Sequence, residues 1–217
     1  MQQSYREVVI LKPTSVFLSF LAAQGPDIEL PSLDILQADT TAYTIMKQDG
    51  EEETLDEIER HFPAMFRYEI NRWLGGKASN PIEGSFLDFL CCFKFEMHSQ
   101  IVIMESSIEQ GQSLLCTKPR SVLLKWIKSS IEEQEAPLDI LERVTLSQLS
   151  ENATVIIKNF ESQLEIQTLL EEQYPAMFKA EVLRMSERTA HWPVVNSLAD
   201  FNRYFAIEIH TQLVHLH

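Results

Sequence analysis

The sequence contains little glycine and cysteine and no long apolar run. Six Gly and nine Pro among 217 residues are too few for a disordered or low-complexity chain. No stretch of about 18 apolar residues predicts a transmembrane helix, and the N-terminus lacks the pattern of a signal peptide. Of the three cysteines, Cys91 and Cys92 lie in an apolar run and are predicted to be reduced core thiols of a cytoplasmic protein.

Positive charge is also scarce. Eighteen Lys and Arg stand against 32 Asp and Glu, which gives a formal net charge of −14. An acidic surface repels phosphates and anionic lipid headgroups, so we expect neither nucleic acid nor a membrane surface as a partner. A basic protein would be attracted. The simpler interpretation is that the acidic surface only keeps the protein in solution.

The chain is predicted to be a tandem duplication, because four blocks of its first half return in the same order. The blocks 12–16, 33–36, 62–66 and 88–102 correspond to 118–122, 138–141, 174–178 and 200–214. Four blocks in register indicate a repeated unit of about a hundred residues, the usual size of a folding domain. We therefore expect a first repeat at 1–105, a linker at 106–112 and a second repeat at 113–217.

Each repeat is predicted to begin with a buried strand and an amphipathic helix that starts at a Lys-Pro pair. Extended segments follow at 33–38 and 42–47, and at 138–149 and 154–160, although 141–149 fits a helix equally well. An acidic helix comes next, and Pro63 and Pro175 are expected to break it because an interior proline removes a backbone hydrogen bond. A short helix and an alternating strand, at 93–101 and 205–213, close the two repeats.

These elements predict an α+β fold. The unit is roughly βαββααβ, similar to a split βαβ or ferredoxin-like arrangement. We expect two antiparallel sheets with helices packed on one face. Two copies of one domain commonly pack about a pseudo-twofold axis, as a homodimer does.

A repeated Glu-x-His-x-Gln is the sharpest candidate for chemistry. On a strand, Glu96 and His98 point to one face, and Glu208 and His210 do the same in the second repeat. If the two strands lay close together, these four side chains could bind a metal. The alternative is a polar sheet face with a structural role, and we predict no cofactor.

A second set of candidates would contact a partner. Met and aromatic residues adapt to partner helices, and the repeated Pro-Ala-Met-Phe supplies Met65, Phe66, Met177 and Phe178. A core position is the alternative for these four. Trp192 lies in a loop-like stretch, where an exposed ring would anchor an interface and a buried ring would close the core of the second repeat.

The sequence contains no Gly-x-Ser-x-Gly, no Gly-rich phosphate loop and no Cys-x-x-Cys. We therefore expect a non-enzymatic adaptor or scaffold subunit of a multiprotein complex, in which each half meets a different partner. Two alternatives stay open: a metal-dependent enzyme that uses the Glu/His faces, and a sensor that binds a small ligand between the two halves.

The segment 9–21, VILKPTSVFLSFL, carries a resemblance to a known family. It is similar to the DotZ-like accessory subunits of bacterial Dot/Icm type IV secretion coupling complexes. The resemblance implies a non-catalytic protein on the cytoplasmic side of a platform that receives effector proteins. It implies no particular site residues.

Overall fold

Each repeat starts with a strand that leads directly into a helix. The computed structural model describes residues 5–24, 29–75, 84–104, 111–132, 144–185 and 192–216. The first repeat contains β1 (Arg6–Pro13), α1 (Ser15–Ala23), α2 (Leu33–Ala38), β2 (Ala42–Met46), α3 (Glu51–Leu74), α4 (Phe86–Cys92), β3 (Phe93–His98) and β4 (Ile101–Ile103). The second contains β5 (Ser113–Pro119), α5 (Ser121–Glu132), α6 (Leu146–Ser150), β6 (Val155–Lys158), α7 (Gln163–Met185), α8 (Leu198–Tyr204), β7 (Phe205–His210) and β8 (Leu213–His215).

The order of elements is the same in both repeats, as the sequence blocks indicate. Within the described residues there are eight helices and eight strands, and the fold is α+β as predicted. The unit is βααβααββ rather than βαββααβ. None of the described helices combines the length and the apolar character needed to cross a bilayer.

Two local predictions were wrong. The segment 33–38 is a helix rather than a strand, since Leu33 and Leu36 are spaced one helical turn apart and Leu36 is buried. In the second repeat the helix Leu146–Ser150 confirms the helical alternative, and residues 138–143 of that prediction lie outside the described residues.

Pro63 and Pro175 do not break their helices; each lies inside one continuous helix. Buried residues follow each proline within three positions, Met65 and Phe66 in α3 and Met177 and Phe178 in α7. Most of a helix's stability in a folded protein comes from tertiary packing, and this packing offsets the lost backbone hydrogen bond.

Two four-stranded sheets form, with strand orders β3-β1-β2-β8 and β4-β6-β5-β7. The prediction of antiparallel sheets was wrong in one strand pair of each sheet. β1 is antiparallel to β2 and β5 to β6, whereas β2 pairs in parallel with β8 and β4 in parallel with β6. Both sheets are therefore mixed.

The closing strands are exchanged between the repeats. β4 follows β3 in the first repeat but pairs with β6 of the second, and β8 follows β7 in the second repeat but pairs with β2 of the first. The predicted strands 93–101 and 205–213 are each interrupted after a histidine, at His98 and His210.

The exchange divides the chain into two compact units. Unit 1 comprises Met1–Met97, Glu109–Gly111 and His210–His217, and unit 2 comprises His98–Ile108 and Gln112–Ile209. The chain thus passes between units at the repeated histidines. Of the predicted linker at 106–112, residues 106–110 lie outside the described residues.

Each unit has a core built on one face of its sheet. In unit 1, Val9, Leu11, Tyr43 and Ile45 pack with helical residues that include many phenylalanines. In unit 2, Leu115 and Ile156 pack with a mainly aliphatic set from α5 and α7 and with Phe178, Phe201 and Phe205. Both helical layers therefore rest on the same face of β1 and of its counterpart β5.

The short helices α4 and α8 begin at matched caps. Ser85 accepts a hydrogen bond from Asp88 N, while the Asp88 carboxylate accepts bonds from Ser85 N and Oγ. Ser197 and Asp200 reproduce the side-chain bond in α8. These bonds lower the pKa of both carboxylates. Asp88 and Asp200 thus have the N-terminal helix role that their positions indicate.

Candidate functional site

The glutamate of the repeated Glu-x-His-x-Gln pairs with the lysine of the repeated Lys-Pro. Lys12 Nζ lies 2.5 Å from Glu96 Oε2, and Lys118 Nζ lies 2.9 Å from Glu208 Oε2. The first pair joins β1 to β3 within unit 1, and the second joins β5 to β7 within unit 2. The duplication therefore preserves both members of an ion pair that ties strands together.

The histidine of the motif is fully buried in both repeats. His98 Nδ1 lies 3.0 Å from Ala153 O, and His210 Nδ1 lies 3.1 Å from Thr40 O. A carbonyl oxygen only accepts, so each bond places a proton on Nδ1. Both acceptors precede the strand on which the exchanged strand pairs, so each histidine fixes the chain where it enters the other repeat's sheet.

The glutamine completes this arrangement. Gln100 O accepts from Val155 N at 2.9 Å, and Gln212 O accepts from Ala42 N at 3.0 Å. These are the first bonds of the parallel pairs β4–β6 and β2–β8. The Gln212 side chain also accepts from Tyr68 OH at 3.0 Å. The repeated motif as a whole builds the entry to the exchanged strand.

The metal-ligand candidates are divided between the compact units. Glu96 and His210 belong to unit 1, and His98 and Glu208 belong to unit 2. Within unit 2, Cys116 Sγ lies 3.7 Å from His98 Nε2, and both residues are buried. A protonated thiol can donate to this nitrogen. This bond gives Nε2 of the buried His98 a partner within unit 2, in addition to the bond of its Nδ1 to Ala153 O.

A buried glutamate in each long helix escaped the sequence analysis. Glu69 in α3 and Glu181 in α7 occupy the same position of the repeat, and each is followed three residues later by an arginine, Arg72 or Arg184. Both carboxylates are buried. The sequence could have indicated these pairs, because Glu and Arg recur at fixed distances after the repeated Pro-Ala-Met-Phe.

In unit 1 the buried carboxylate accepts from a tyrosine. Tyr43 OH donates to Glu69 Oε1 at 2.7 Å, while Arg72 donates to Thr41 Oγ1 at 2.9 Å and to Asp39 Oδ2 at 2.5 Å. Burial raises the pKa of Glu69. Burial and the adjacent carboxylate raise the pKa of Tyr43 well above its ordinary value.

In unit 2 the equivalent carboxylate accepts from the backbone and the arginine. Thr154 N donates to Glu181 Oε1 at 2.6 Å, and Arg184 Nη2 donates to Glu181 Oε2 at 2.8 Å. Arg184 also donates to the carbonyls of Leu149 and Glu151. These bonds attach α7 to the end of α6 and to the start of β6, so this charge pair has a structural role.

The four Pro-Ala-Met-Phe candidates are core residues. Met65 and Phe66 are buried in unit 1, and Met177 and Phe178 are buried in unit 2. Side chains buried inside their own unit do not offer surface to a partner, so the core alternative holds for all four. Trp192 is half-buried and packs against the core of unit 2.

An exposed acidic surface lies on the first half of α3. Glu51, Glu52, Leu55, Asp56 and Glu59 all face solvent there, and we call them the α3 acidic face. Glu51 and Glu52 lie one turn before Leu55, Glu59 lies one turn after it and Asp56 is its neighbour in sequence; the Leu55 side chain is 42% exposed. An apolar side chain surrounded by carboxylates suits a partner that is both basic and apolar.

The equivalent surface on α7 is almost uncharged. It consists of exposed residues with a single acid: Gln163, Leu164, Gln167, Thr168 and Glu171. It also presents a leucine, since Leu164 is 72% exposed. The two repeats therefore keep the helix and differ in the charge on its outer face.

Comparisons with known proteins identify no relative. No family model, no curated protein and no solved structure matches the chain.

Proposed function

We propose that the protein is a non-enzymatic adaptor, a subunit of a multiprotein complex that binds a basic segment of a partner protein. The observation that carries the proposal is the α3 acidic face, in which four carboxylates surround an exposed leucine. Carboxylates arranged in this way steer a basic partner, and the leucine supplies apolar contact once the partner has docked.

The use of the other repeated polar residues supports this proposal. The glutamates of the motif pair with lysines, its histidines bond to backbone carbonyls, and Glu69 and Glu181 have buried partners. These groups stabilise strands and helix attachments. On the α3 acidic face, Glu51 and Glu52 also stabilise the first turn of α3, whereas Asp56 and Glu59 lie beyond that turn. The counterpart on α7 lacks most of this charge.

The difference between the two faces supports separate partners for the two repeats. A duplicated domain whose copies served one identical partner would keep the same outer face. Here the acidic side chains at 51, 52 and 56 are replaced by Gln163, Leu164 and Thr168. We assign the basic partner to the first repeat.

The resemblance of segment 9–21 extends the proposal to a cellular setting. The adaptor would act on the cytoplasmic side of a type IV secretion coupling complex and handle effector proteins. Effector segments that bind there would carry Lys or Arg close to apolar residues.

The test is purification of the tagged chain from its native cell, with mass spectrometry of the proteins that co-elute. The α3 variant carries Glu51→Gln, Glu52→Gln, Leu55→Ser, Asp56→Asn and Glu59→Gln. The matched control carries Leu164→Ser on α7. We expect a stoichiometric basic partner with the unmodified chain and with the control, and loss of that partner with the α3 variant.

Two results would contradict the proposal. If the chain purifies alone, the adaptor function is contradicted. If the α3 variant retains the partner, the assignment of the binding surface to α3 is contradicted. Binding by this surface also weakens with salt, because exposed charges are screened beyond about 8 Å at physiological ionic strength. Elution of the partner between low and high salt is the second readout.

A further inference from the structure

We propose that the β2 edge of unit 1 is an interface between two copies of this chain, in which β8 of one copy pairs with β2 of the other. The inference is independent of the proposed adaptor function. It concerns the strand that completes unit 1 and the origin of that strand.

Unit 1 requires the β8 segment to satisfy its sheet. In the parallel pair, Ala42 N donates to Gln212 O at 3.0 Å and Leu216 N donates to Thr44 O at 3.1 Å. Leu213 and Val214 are buried, and Val214 belongs to the unit 1 core. Without β8, β2 would be an open edge with unpaired backbone groups beside buried apolar residues.

The strand that meets this requirement belongs to the second repeat. β7 lies in the sheet of unit 2, and β8 lies in the sheet of unit 1, with only Thr211 and Gln212 between them. A segment that leaves its own repeat to complete the sheet of the other repeat is the arrangement of an exchanged dimer, here contained in one chain.

A second copy offers the same acceptor to β8. Its β2 carries the same residues in the same register, so the hydrogen bonds and buried contacts of β8 are identical in either location. The choice between them depends on effective concentration and on the conformation of the connection from β7. Short connections give effective concentrations in the millimolar range, so we expect exchange to become substantial near about 1 mM chain.

Side-chain contacts provide a chemical readout of this pairing. Thr44 and His215 are register partners, and Thr44 Oγ1 lies 2.6 Å from His215 Nδ1. Cysteines at these two positions would be close enough to form a disulfide. A disulfide between two chains would then record β8 of one copy beside β2 of another.

The experiment uses full-length chains in a Cys91→Ser background, because Cys91 is exposed, contrary to its predicted core position, whereas Cys92 and Cys116 are buried. One chain carries Thr44→Cys and a mass tag, and the other carries His215→Cys. The two are mixed at about 1 mM, the concentration at which exchange should compete, then oxidised and separated by non-reducing electrophoresis. The matched control replaces the His215→Cys chain with Leu87→Cys, an exposed position on α4.

We expect a covalent heterodimer in the mixture, with a yield at least about tenfold above the control and falling on dilution, since exchange competes with intramolecular pairing. A chain with both Thr44→Cys and His215→Cys should close within itself when dilute. The proposal would be overturned if the mixture gave no more covalent heterodimer than the control while the double variant formed its intramolecular disulfide. Failure of the double variant to close would remove its premise, the β2–β8 pairing.

Discussion

Tyr43 in unit 1 and Ile156 in unit 2 occupy the same position of the repeat, yet only the first has a hydroxyl group. Tyr43 OH donates to Glu69, whereas Glu181 accepts from Thr154 N and from Arg184. A buried carboxylate without partners costs several kcal/mol, so each unit supplies donors in its own way. The comparison shows that the two repeats keep a buried carboxylate at the same position but supply it with different hydrogen-bond donors.

The two cores also occupy equivalent positions with different side chains. Unit 1 surrounds Phe89 with aromatic rings, while Phe201, its counterpart in unit 2, stacks on Phe205 beside aliphatic side chains. The rings within 6.5 Å of Phe89 are those of Phe62, Phe66, Phe86, Phe93 and Phe95. One fold is thus filled by an aromatic cluster in one unit and by a mainly aliphatic core in the other.

The largest effect is expected at these two phenylalanines. Truncation of a buried Phe to Ala costs about 3–5 kcal/mol, and each aromatic pair adds about 0.5–1.5 kcal/mol beyond the buried area. We expect Phe89→Ala to lower the free energy of unfolding by more than Phe201→Ala does. Urea unfolding with native-state hydrogen exchange measures the loss in each unit, and equal losses would mean that the aromatic contacts add nothing.

The exchanged strands give the next largest contrast. Leu213 in β8 is fully buried, whereas its counterpart Ile101 in β4 is only half-buried. We expect Leu213→Ala to cost about 2–4 kcal/mol, in the range for a buried leucine, and Ile101→Ala to cost roughly 1 kcal/mol. Thermal and urea unfolding of the two variants provide the comparison. A larger loss of unfolding free energy for Ile101→Ala would show that β4, not β8, is the better-packed exchanged strand.

A smaller difference is expected between the buried glutamates. An amide oxygen can still accept from Tyr43 OH, so Glu69→Gln should cost less than about 1 kcal/mol at neutral pH. Glu181→Gln removes the charged partner of Arg184 and should cost about 2 kcal/mol. Urea unfolding at pH 7 tests this order. The reverse order would mean that the hydrogen bond from Tyr43 depends on a charged acceptor.

The smallest effect is a pH trend at Glu69. Burial raises the pKa of this carboxyl above its ordinary value of 4.5, so the folded state holds the proton to higher pH than the unfolded chain does. Its contribution is fully present below pH 4.5 and is lost as pH rises through the folded pKa. The stability of the unmodified chain relative to Glu69→Gln should therefore fall with rising pH, measured by urea unfolding from pH 4 to 8. A flat difference would contradict the raised pKa.

The sequence predicted the duplication and the α+β class because buried blocks recur in register. It failed at 33–38, where Leu33, Ile35 and Leu36 fit neither period clearly over six residues. It also failed at Pro63 and Pro175, since local propensity does not include the packing of the residues that follow. These errors lie where tertiary contacts outweigh local preference.

The strand exchange could not be read from the sequence. Residues 101–103 and 213–215 are short apolar segments that fit the open edge of either repeat equally well, so periodicity says nothing about which edge they use. Only part of the candidate surface could be predicted. The sequence indicated an acidic helix in each repeat, but the exposure of Leu55 and the contrast with the outer face of α7 required the structure.

The exchanged β8 also determines when unit 1 can be finished during synthesis. Thr44 of β2 and His215 of β8 are separated by 171 positions, and a ribosome that adds about 5–20 residues per second needs roughly ten to thirty seconds to cover that distance. During that time β2 has no partner on one edge. The first domain to leave the ribosome is therefore completed last, and its open edge must remain shielded until the second repeat has been made.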